Sequence, residues 1–175
     1  MMEIKIVDYD PNWITSFSSE AGAIHEIVKD NEIAILHIGS TSVPGLAAKP
    51  IIDILLIVEA ISKLDDAEKD LERLGYEALG ENGLPGRRYF RKGKRKRTYH
   101  IHAYQFDNIS EIQRHIAFRN YLRAHRNIAE EYAELKRSIA KRYPANIGKY
   151  SLAKDPFIKA HEAKALQYIW SKEAE

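Results

Sequence analysis

The run from Ile51 to Val58, which reads IIDILLIV, is the segment that most restricts how this chain can fold. Seven of its eight residues are apolar, and the run is rich in isoleucine and leucine. A strand with two apolar faces has to be covered on both sides, so this pattern is typical of the centre of a sheet. The run therefore predicts a central strand between layers of helices, with one acid, Asp53, inside it.

Turn and capping residues divide the rest of the chain into further elements. The predicted strands are residues 3–7, 33–38, 76–81, 87–92 and 95–105, with the last three in an antiparallel meander. Five helices are predicted. The first starts at Asp10-Pro11, and the second starts near Ser62 and ends at Gly75. The other three cover residues 110–125, with a capping box at Ser110, residues 128–142, and residues 156–171 after Asp155-Pro156. We expect an α+β (α/β) fold, with a mixed β-sheet flanked by helices and a helical C-terminal third.

Composition excludes several classes of protein. The chain has 175 residues without repeats or linker segments, which indicates a single domain over residues 1–175. It has no cysteine, so disulfides, thiolate zinc sites and cysteine nucleophiles are excluded, and any metal has to bind His or carboxylate. No run of apolar residues is long enough to span a membrane, and no leader pattern is present, so we expect a cytoplasmic protein without a membrane partner.

The loop between residues 38 and 51 combines glycine, hydroxyl groups and a lysine. Backbone amides beside glycine and Ser or Thr hydroxyls can bind phosphate oxygens, and lysine adds a positive charge. The candidate phosphate-binding residues are Gly39, Ser40, Thr41, Ser42 and Lys49. The alternative from loop composition alone is an ordinary surface turn.

Asp53 is the candidate functional acid, because a carboxylate in an apolar strand costs several kcal/mol unless a cation or donors satisfy it. A purely structural pairing with backbone amides or with a buried Arg or Lys is the alternative. The position of Asp53 directly after the glycine and serine loop favours a functional role.

The segments around this loop resemble a known family. Ile38-Gly39-Ser40 followed by Asp53 in the next strand is similar to the signature of the DNA polymerase β-type nucleotidyltransferase superfamily. More closely, the segments 37–46, 49–50, 52–54, 99–102, 118–125 and 132–136 resemble the GrpB-like family, a divergent member of that superfamily. The resemblance implies a nucleotidyltransferase-like fold, a nucleotide or phosphorylated substrate, and Asp53 and Ser40 as catalytic candidates. It also makes Tyr150 and Lys154 candidates for the pocket rim.

The resemblance further implies a divalent metal, and the chain departs from the usual pattern there. Active members of the superfamily hold two Mg²⁺ ions with Asp-hydrophobic-Asp or Asp-hydrophobic-Glu. Leu55 stands at the second acidic position. The chain therefore lacks the second carboxylate that two-metal nucleotidyl transfer in its usual form requires.

His100 and His102 stand two residues apart on a predicted strand, so their side chains share one face of the sheet. We expect them to face one pocket with Asp53 and to form a metal site, for which imidazole favours a transition metal over Mg²⁺. His37 is an additional candidate, as is Arg88. Hydrogen bonding to phosphate or substrate, and plain exposed strand histidines, are the alternatives to metal binding.

Residues 87–98 carry eight of the 27 basic side chains and no acid. This run, from Arg87 to Arg97, is a candidate nucleic-acid surface, but attraction of a polyanionic substrate explains it at least as well. The charged residues Arg119, Arg123, Lys136 and Arg137 are expected on a solvated helix face.

Three functions remain open from the sequence. The first is transfer of a nucleoside monophosphate to an unknown acceptor. The second is a module that binds a nucleotide or phosphate without turnover, and the third is a metal-dependent hydrolase that uses Asp53, His100 and His102. The sequence does not decide among them, and it leaves the oligomeric state open.

Overall fold

The computed structural model describes residues 3–94 and 96–173. A five-stranded sheet lies at its centre, with β1 at Glu32–Ile38, β2 at Ile52–Val58, β3 at Tyr76–Ala78, β4 at Arg87–Lys92 and β5 at Tyr99–Gln105. The strand order is β1-β2-β5-β4-β3. β2 and β5 are parallel and the other pairs are antiparallel, so the predicted mixed sheet is confirmed, as is the meander of β3, β4 and β5.

Helices flank the sheet and form the C-terminal third, as predicted. They are α1 at Asn12–Val28, α2 at Ile61–Asp66, α3 at Glu68–Arg73, α4 at Ile109–Ala124, α5 at Arg126–Arg142 and α6 at Ile147–Glu173. A short 3₁₀ turn at Ser40–Ser42 connects β1 to the segment before β2.

β2 is the central strand that the apolar run predicts, since it pairs with β1 on one side and β5 on the other. Ile54 packs into the larger core with α1, α2 and α3, whereas Leu55 packs on the other face with Tyr104 and Ile112. Both Ile54 and Leu55 are fully buried. Burial of each such side chain stabilises the fold by about 1.5–3 kcal/mol.

Several predicted boundaries are wrong because tertiary contacts override local signals. The predicted strand over residues 3–7 is reduced to one bridge between Val7 and Ala48. The helix predicted up to Gly75 breaks at Ala67 into α2 and α3. The side chains expected to cap α2 and α4 make no capping hydrogen bond.

The largest error concerns α6, which begins nine residues before the predicted start and contains Pro156. Asn146 caps this earlier start, since its Oδ1 accepts a hydrogen bond from the amide of Lys149 at 2.9 Å. Tyr150 in the early part of the helix is fully buried among Ile4 and Ile139. Packing of this turn therefore outweighs the hydrogen bond that proline removes.

Candidate functional site

A pocket of about 150 Å³ lies where β1 ends and β2 begins, between the sheet and helices α5 and α6. Its lining residues come from the loop after β1, from β2 and β5, and from the two helices. They are Ser40, Thr41, Ala48, Lys49, Ile51, Asp53, His100, Tyr132, Lys136, Tyr150 and Lys154. The fold therefore brings the predicted loop, the predicted acid and the predicted residues of α6 to one place.

Gly39 sets the path of the loop beside Asp53. It has φ of 71°, and a Cβ on this residue would lie 2.7 Å from Oδ2 of Asp53. Glycine is thus required both for the backbone conformation and for the close approach. Ser42 Oγ donates to the carbonyl of Gly39 at 2.6 Å, which closes the turn.

The five residues predicted to bind phosphate divide into two groups. Ser40, Thr41 and Lys49 line the pocket, whereas Gly39 and Ser42 shape the loop behind it. Thr41 is almost fully buried and its hydroxyl lies 2.9 Å from Nε2 of His37. Ser40 and Lys49 are therefore the loop side chains best placed to contact a ligand.

Asp53, His100 and His102 share one face of the sheet, as their positions predict. Asp53 pairs with His100 across the parallel ladder of β2 and β5, and His102 stands two residues further along. Oδ1 of Asp53 lies 3.2 Å from Nε2 of His102 and 3.4 Å from Nδ1 of His100. Both imidazoles thus contact the same carboxylate oxygen.

The carboxyl group of Asp53 remains ionised at neutral pH. Burial alone would raise its pKa, but the hydrogen bonds and charges of His100 and His102 outweigh burial and hold the pKa well below its usual range. The acid is therefore a fixed negative charge at the edge of the pocket.

His37 and Arg88 do not join this cluster, contrary to expectation. His37 pairs with Ile54 in the ladder, and its ring stacks on Phe17 of α1, so it lies on the opposite face from Asp53. Arg88 pairs with Ala103 and forms a bidentate ion pair with Asp65 of α2, also on that opposite face. Strand alternation places Tyr89 on the histidine face instead, with ring centroids 5.5 Å from His100 and 5.2 Å from His102.

Lys136 is a pocket residue that the sequence interpretation placed on a solvated face. It is 3% exposed, and its Nζ donates to Ala47 O at 2.6 Å and to Ser40 Oγ at 2.8 Å. Its ammonium also lies 4.5 Å from the ring centre of Tyr132. Lys136 lies between Tyr132 and Ile139 at helical spacing, so it shares their buried face of the helix. This spacing could have identified Lys136 as a buried residue.

Arg119 and Arg123 are also expected on the solvated face. Arg123 is exposed as expected, whereas Arg119 is half-buried, and both side chains donate to carbonyl groups next to the loop. Arg119 donates to the carbonyl of His37 at 3.0 Å, and Arg123 donates twice to the carbonyl of Ser42. Arg137 reaches Asp8 and is exposed, as expected.

Three lysines give the pocket its positive character. Lys49 and Lys154 lie 5.1 and 5.3 Å from the ring centre of Tyr150, and Lys136 completes the set. Burial and the charges of Lys154 and Lys49 lower the pKa of Lys136 to about 7, and burial with the charge of Lys49 lowers the pKa of Lys154 to about 8. Burial is the larger cause of both shifts, and the neighbouring lysine charges add to it.

The side chains do not fit the divalent metal that the resemblance implies. Among the described residues, no group of three or more His, Asp or Glu side chains is arranged to hold a metal ion. Asp53 is the only acid that lines the pocket in residues 3–94 and 96–173. Nε2 of His102 is directed at Asp53, and its Nδ1 is buried, so neither nitrogen is available as a ligand.

Neighbouring groups contact most of the described side chains of the basic run. Ion pairs or hydrogen bonds to carbonyl groups engage Arg87, Arg88, Arg91, Lys92 and Arg97. Lys94 and Lys96 are exposed, and Arg95 lies outside the described residues. Nucleic-acid binding through this run stays a prediction.

Within the described parts of the chain, no helix is both long and apolar enough to cross a membrane.

Comparisons with known proteins place the chain in a family. The sequence profile described as GrpB protein matches residues 3–164. UPF0157 protein YqkA of Bacillus subtilis is 44% identical over 170 residues, or 97% of this chain and 49% of YqkA, so the chain spans about half of that relative's length. Glutamate-rich protein GrpB of Alkalihalophilus pseudofirmus is 31% identical over 163 residues, or 89% of this chain and 92% of that protein.

A solved structure agrees with these matches. The crystal structure of conserved protein GrpB from Enterococcus faecalis has a TM-score of 0.93 and 54% sequence identity, and the match covers 95% of this chain and 99% of that chain. The similarity therefore includes both the sheet and the helices that enclose the lysine pocket. The resemblance seen in the loop and strand motifs is confirmed, and the chain belongs to the GrpB family.

Proposed function

We propose that this chain binds the phosphate group of a nucleotide or of another phosphorylated small molecule in the lysine pocket. The observation that carries the proposal is the presence of Lys49, Lys136 and Lys154 around one small cavity whose only acid, in the described residues, is Asp53. Three ammonium groups held close together are costly in a free protein. A bound anion relieves that cost.

The loop supports the same proposal. Ser40 lines the pocket and accepts a hydrogen bond from Lys136, and Thr41 lines it as well. An ammonium has three N–H donors, and Lys136 uses two of them within the protein, which leaves one for a ligand oxygen. Asp53 pairs with the histidines rather than with a lysine, so it does not neutralise these ammonium groups by direct contact.

Isothermal titration calorimetry with inorganic phosphate, adenosine monophosphate, adenosine triphosphate and adenosine tests this proposal. We expect the three phosphate-bearing compounds to bind and adenosine to bind at least about tenfold more weakly than its monophosphate. Lys136→Met should weaken phosphate binding, whereas Lys141→Met, an exposed lysine on the same helix, should not. Equal affinity for adenosine and its monophosphate would contradict the proposal.

A second candidate function is turnover of the bound phosphate compound, with His100 as the acid or base. The observation that favours it is the 3.4 Å approach of His100 Nδ1 to Asp53, on a ring that lines the same pocket. An imidazole oriented through Nδ1 by a carboxylate has Nε2 available for proton transfer. The residues give no basis for naming an acceptor.

Release of inorganic phosphate or pyrophosphate from adenosine triphosphate tests this second candidate. It predicts that His100→Gln abolishes release while affinity for the nucleotide stays within about threefold of the original. If the unaltered protein releases neither product, turnover of adenosine triphosphate is contradicted and binding of the nucleotide without turnover is supported.

A further inference from the structure

The pocket pairs a cluster of ammonium groups with a single carboxylate, which is the reverse of a magnesium site. Mg²⁺ in phosphate-binding enzymes is held by carboxylates and bridges them to the phosphate oxygens. Here Leu55 is fully buried and apolar where a second acid would be needed, and three lysines stand around Asp53. A divalent cation at this point would be repelled by those lysines.

We propose that Lys49, Lys136 and Lys154 neutralise the phosphoryl group directly, so that this chain binds its ligand without a divalent metal ion. This inference rests on the proposed function of the pocket. It specifies the ligand as the dianionic phosphoryl end of a phosphate monoester or as inorganic phosphate, rather than a magnesium complex of a triphosphate.

The charge of the pocket fits a dianion. When the three lysines are protonated and Asp53 is ionised, these four side chains carry an excess of two positive charges. His100 is not included in this count. A phosphate monoester carries about 1.5–2 negative charges near pH 7, as phosphorylated side chains do. Ligand and lining therefore neutralise each other without a further ion.

The size of the pocket fits a phosphoryl group. Pockets for drug-sized ligands occupy about 300–1,000 Å³. The cavity here measures about 150 Å³, so it encloses the phosphoryl end of a ligand while the remainder of the molecule lies outside.

Tyr150 supplies an independent observation. It is fully buried and lines the pocket, and its hydroxyl has no hydrogen-bond partner among the described residues. A buried hydroxyl without a partner costs about 1–3 kcal/mol. A phosphate oxygen would accept a hydrogen bond from this hydroxyl and remove that cost.

Titration calorimetry of the unaltered protein with inorganic phosphate and with adenosine monophosphate, in EDTA and in excess Mg²⁺, tests the inference. We expect the two conditions to give affinities within about threefold of each other. Binding that appears only with Mg²⁺, or that strengthens more than about tenfold, would overturn the inference but leave the proposed function standing. No binding of any phosphate compound in either condition would instead refute the proposed function itself.

A variant pair tests the role of the lysines under EDTA. Lys154→Met should weaken phosphate binding about tenfold or more, because it removes one charge-assisted contact. Lys164→Met changes an exposed lysine on the same helix that does not line the pocket, and it should leave the affinity unchanged. If Lys154→Met does not fold, Lys154→Gln provides the same comparison. Equal binding by the Lys154 and Lys164 variants would contradict a direct role of Lys154.

Discussion

Gly39 and Asp53 are in direct contact across the end of the sheet, and no other residue fits in place of Gly39. A Cβ at position 39 would lie 2.7 Å from Oδ2 and 3.1 Å from Cβ of Asp53. The contact fixes the distance between the loop that carries Ser40 and the strand that carries the acid. The glycine of the motif therefore serves the geometry of the site, in addition to any contact with a ligand.

Replacing Gly39 by alanine should reduce both stability and binding. The left-handed φ of 71° and the clash with Asp53 together predict a loss of about 1–3 kcal/mol in the free energy of unfolding. Phosphate affinity should fall as well, because the loop has to move away from the strand. Urea denaturation and titration calorimetry measure the two effects.

Gly22→Ala is the matched control. Gly22 lies inside α1 with open space around it, so alanine there should stabilise the protein by about 0.5–1 kcal/mol. If Gly39→Ala proves as stable and as active in binding as Gly22→Ala, the close contact between residue 39 and Asp53 does not exist in solution.

The affinity for adenosine monophosphate should fall as pH rises from about 7.5 to 9.5. The pKa values of Lys136 and Lys154 are lowered to about 7 and about 8, so both lysines lose their protons over or below this range. A phosphate monoester is already a dianion there, since its second pKa is about 6. The ligand's charge is then constant while the pocket loses positive charge.

The sign of this effect follows from linkage, because an anion raises the pKa of the lysines that it contacts and binding therefore takes up protons. Calorimetry in two buffers of different ionisation enthalpy measures that uptake. The control is Lys154→Arg, in which the side chain at this position stays protonated throughout, so the fall in affinity with pH should be less steep. A constant or rising affinity over this range would be inconsistent with lysine ligands.

Asp53→Asn should strengthen the binding of inorganic phosphate while it destabilises the fold. The substitution removes the negative charge nearest the anion, so affinity should rise several-fold. It also weakens the hydrogen bonds from His100 and His102, which should cost about 1–3 kcal/mol in stability. A metal-dependent site would behave in the opposite way and lose binding altogether.

The difference in stability between the unaltered protein and Asp53→Asn should depend on pH. The folded-state pKa of Asp53 is below its ordinary value of 3.8, so the carboxylate contributes stability above about pH 4 and loses that contribution as pH falls. The unaltered protein and Asp53→Asn should therefore approach equal stability in acid. A difference that stays constant down to pH 2 would show that the charge of Asp53 is not what stabilises the fold.

Periodicity predicted the central strand and the face of the sheet that Asp53, His100 and His102 share. The apolar run around Asp53 identified β2, and strand alternation placed His100 and His102 on one face with the acid. The same alternation, applied to β4, would have excluded Arg88 and selected Tyr89, since Arg88 pairs with Ala103 and Tyr89 with His102.

The loop pattern predicted Lys49, but local patterns could not place the other two lysines in the pocket. Lys136 lies on α5 and Lys154 on α6, far from the loop in sequence, and only the packing of these helices against the sheet brings them to Ser40 and Asp53. The resemblance to the family indicated Lys154. Helical spacing could show that Lys136 faces the core, but not that it reaches Ala47 and Ser40. The start of α6 was missed for a similar reason, because the burial of Tyr150 depends on Ile4 and Ile139.

The most direct test of the account compares two double variants in phosphate binding by titration calorimetry in EDTA. Lys136→Met with Lys154→Met removes two of the three ammonium groups from the pocket, and Lys141→Met with Lys164→Met removes two exposed lysines from the same two helices. Thermal unfolding of both double variants checks that each protein is folded. The account predicts that the pocket variant loses at least about 100-fold in affinity while the surface variant stays within about twofold of the unaltered protein. Equal affinities of the two double variants would contradict it.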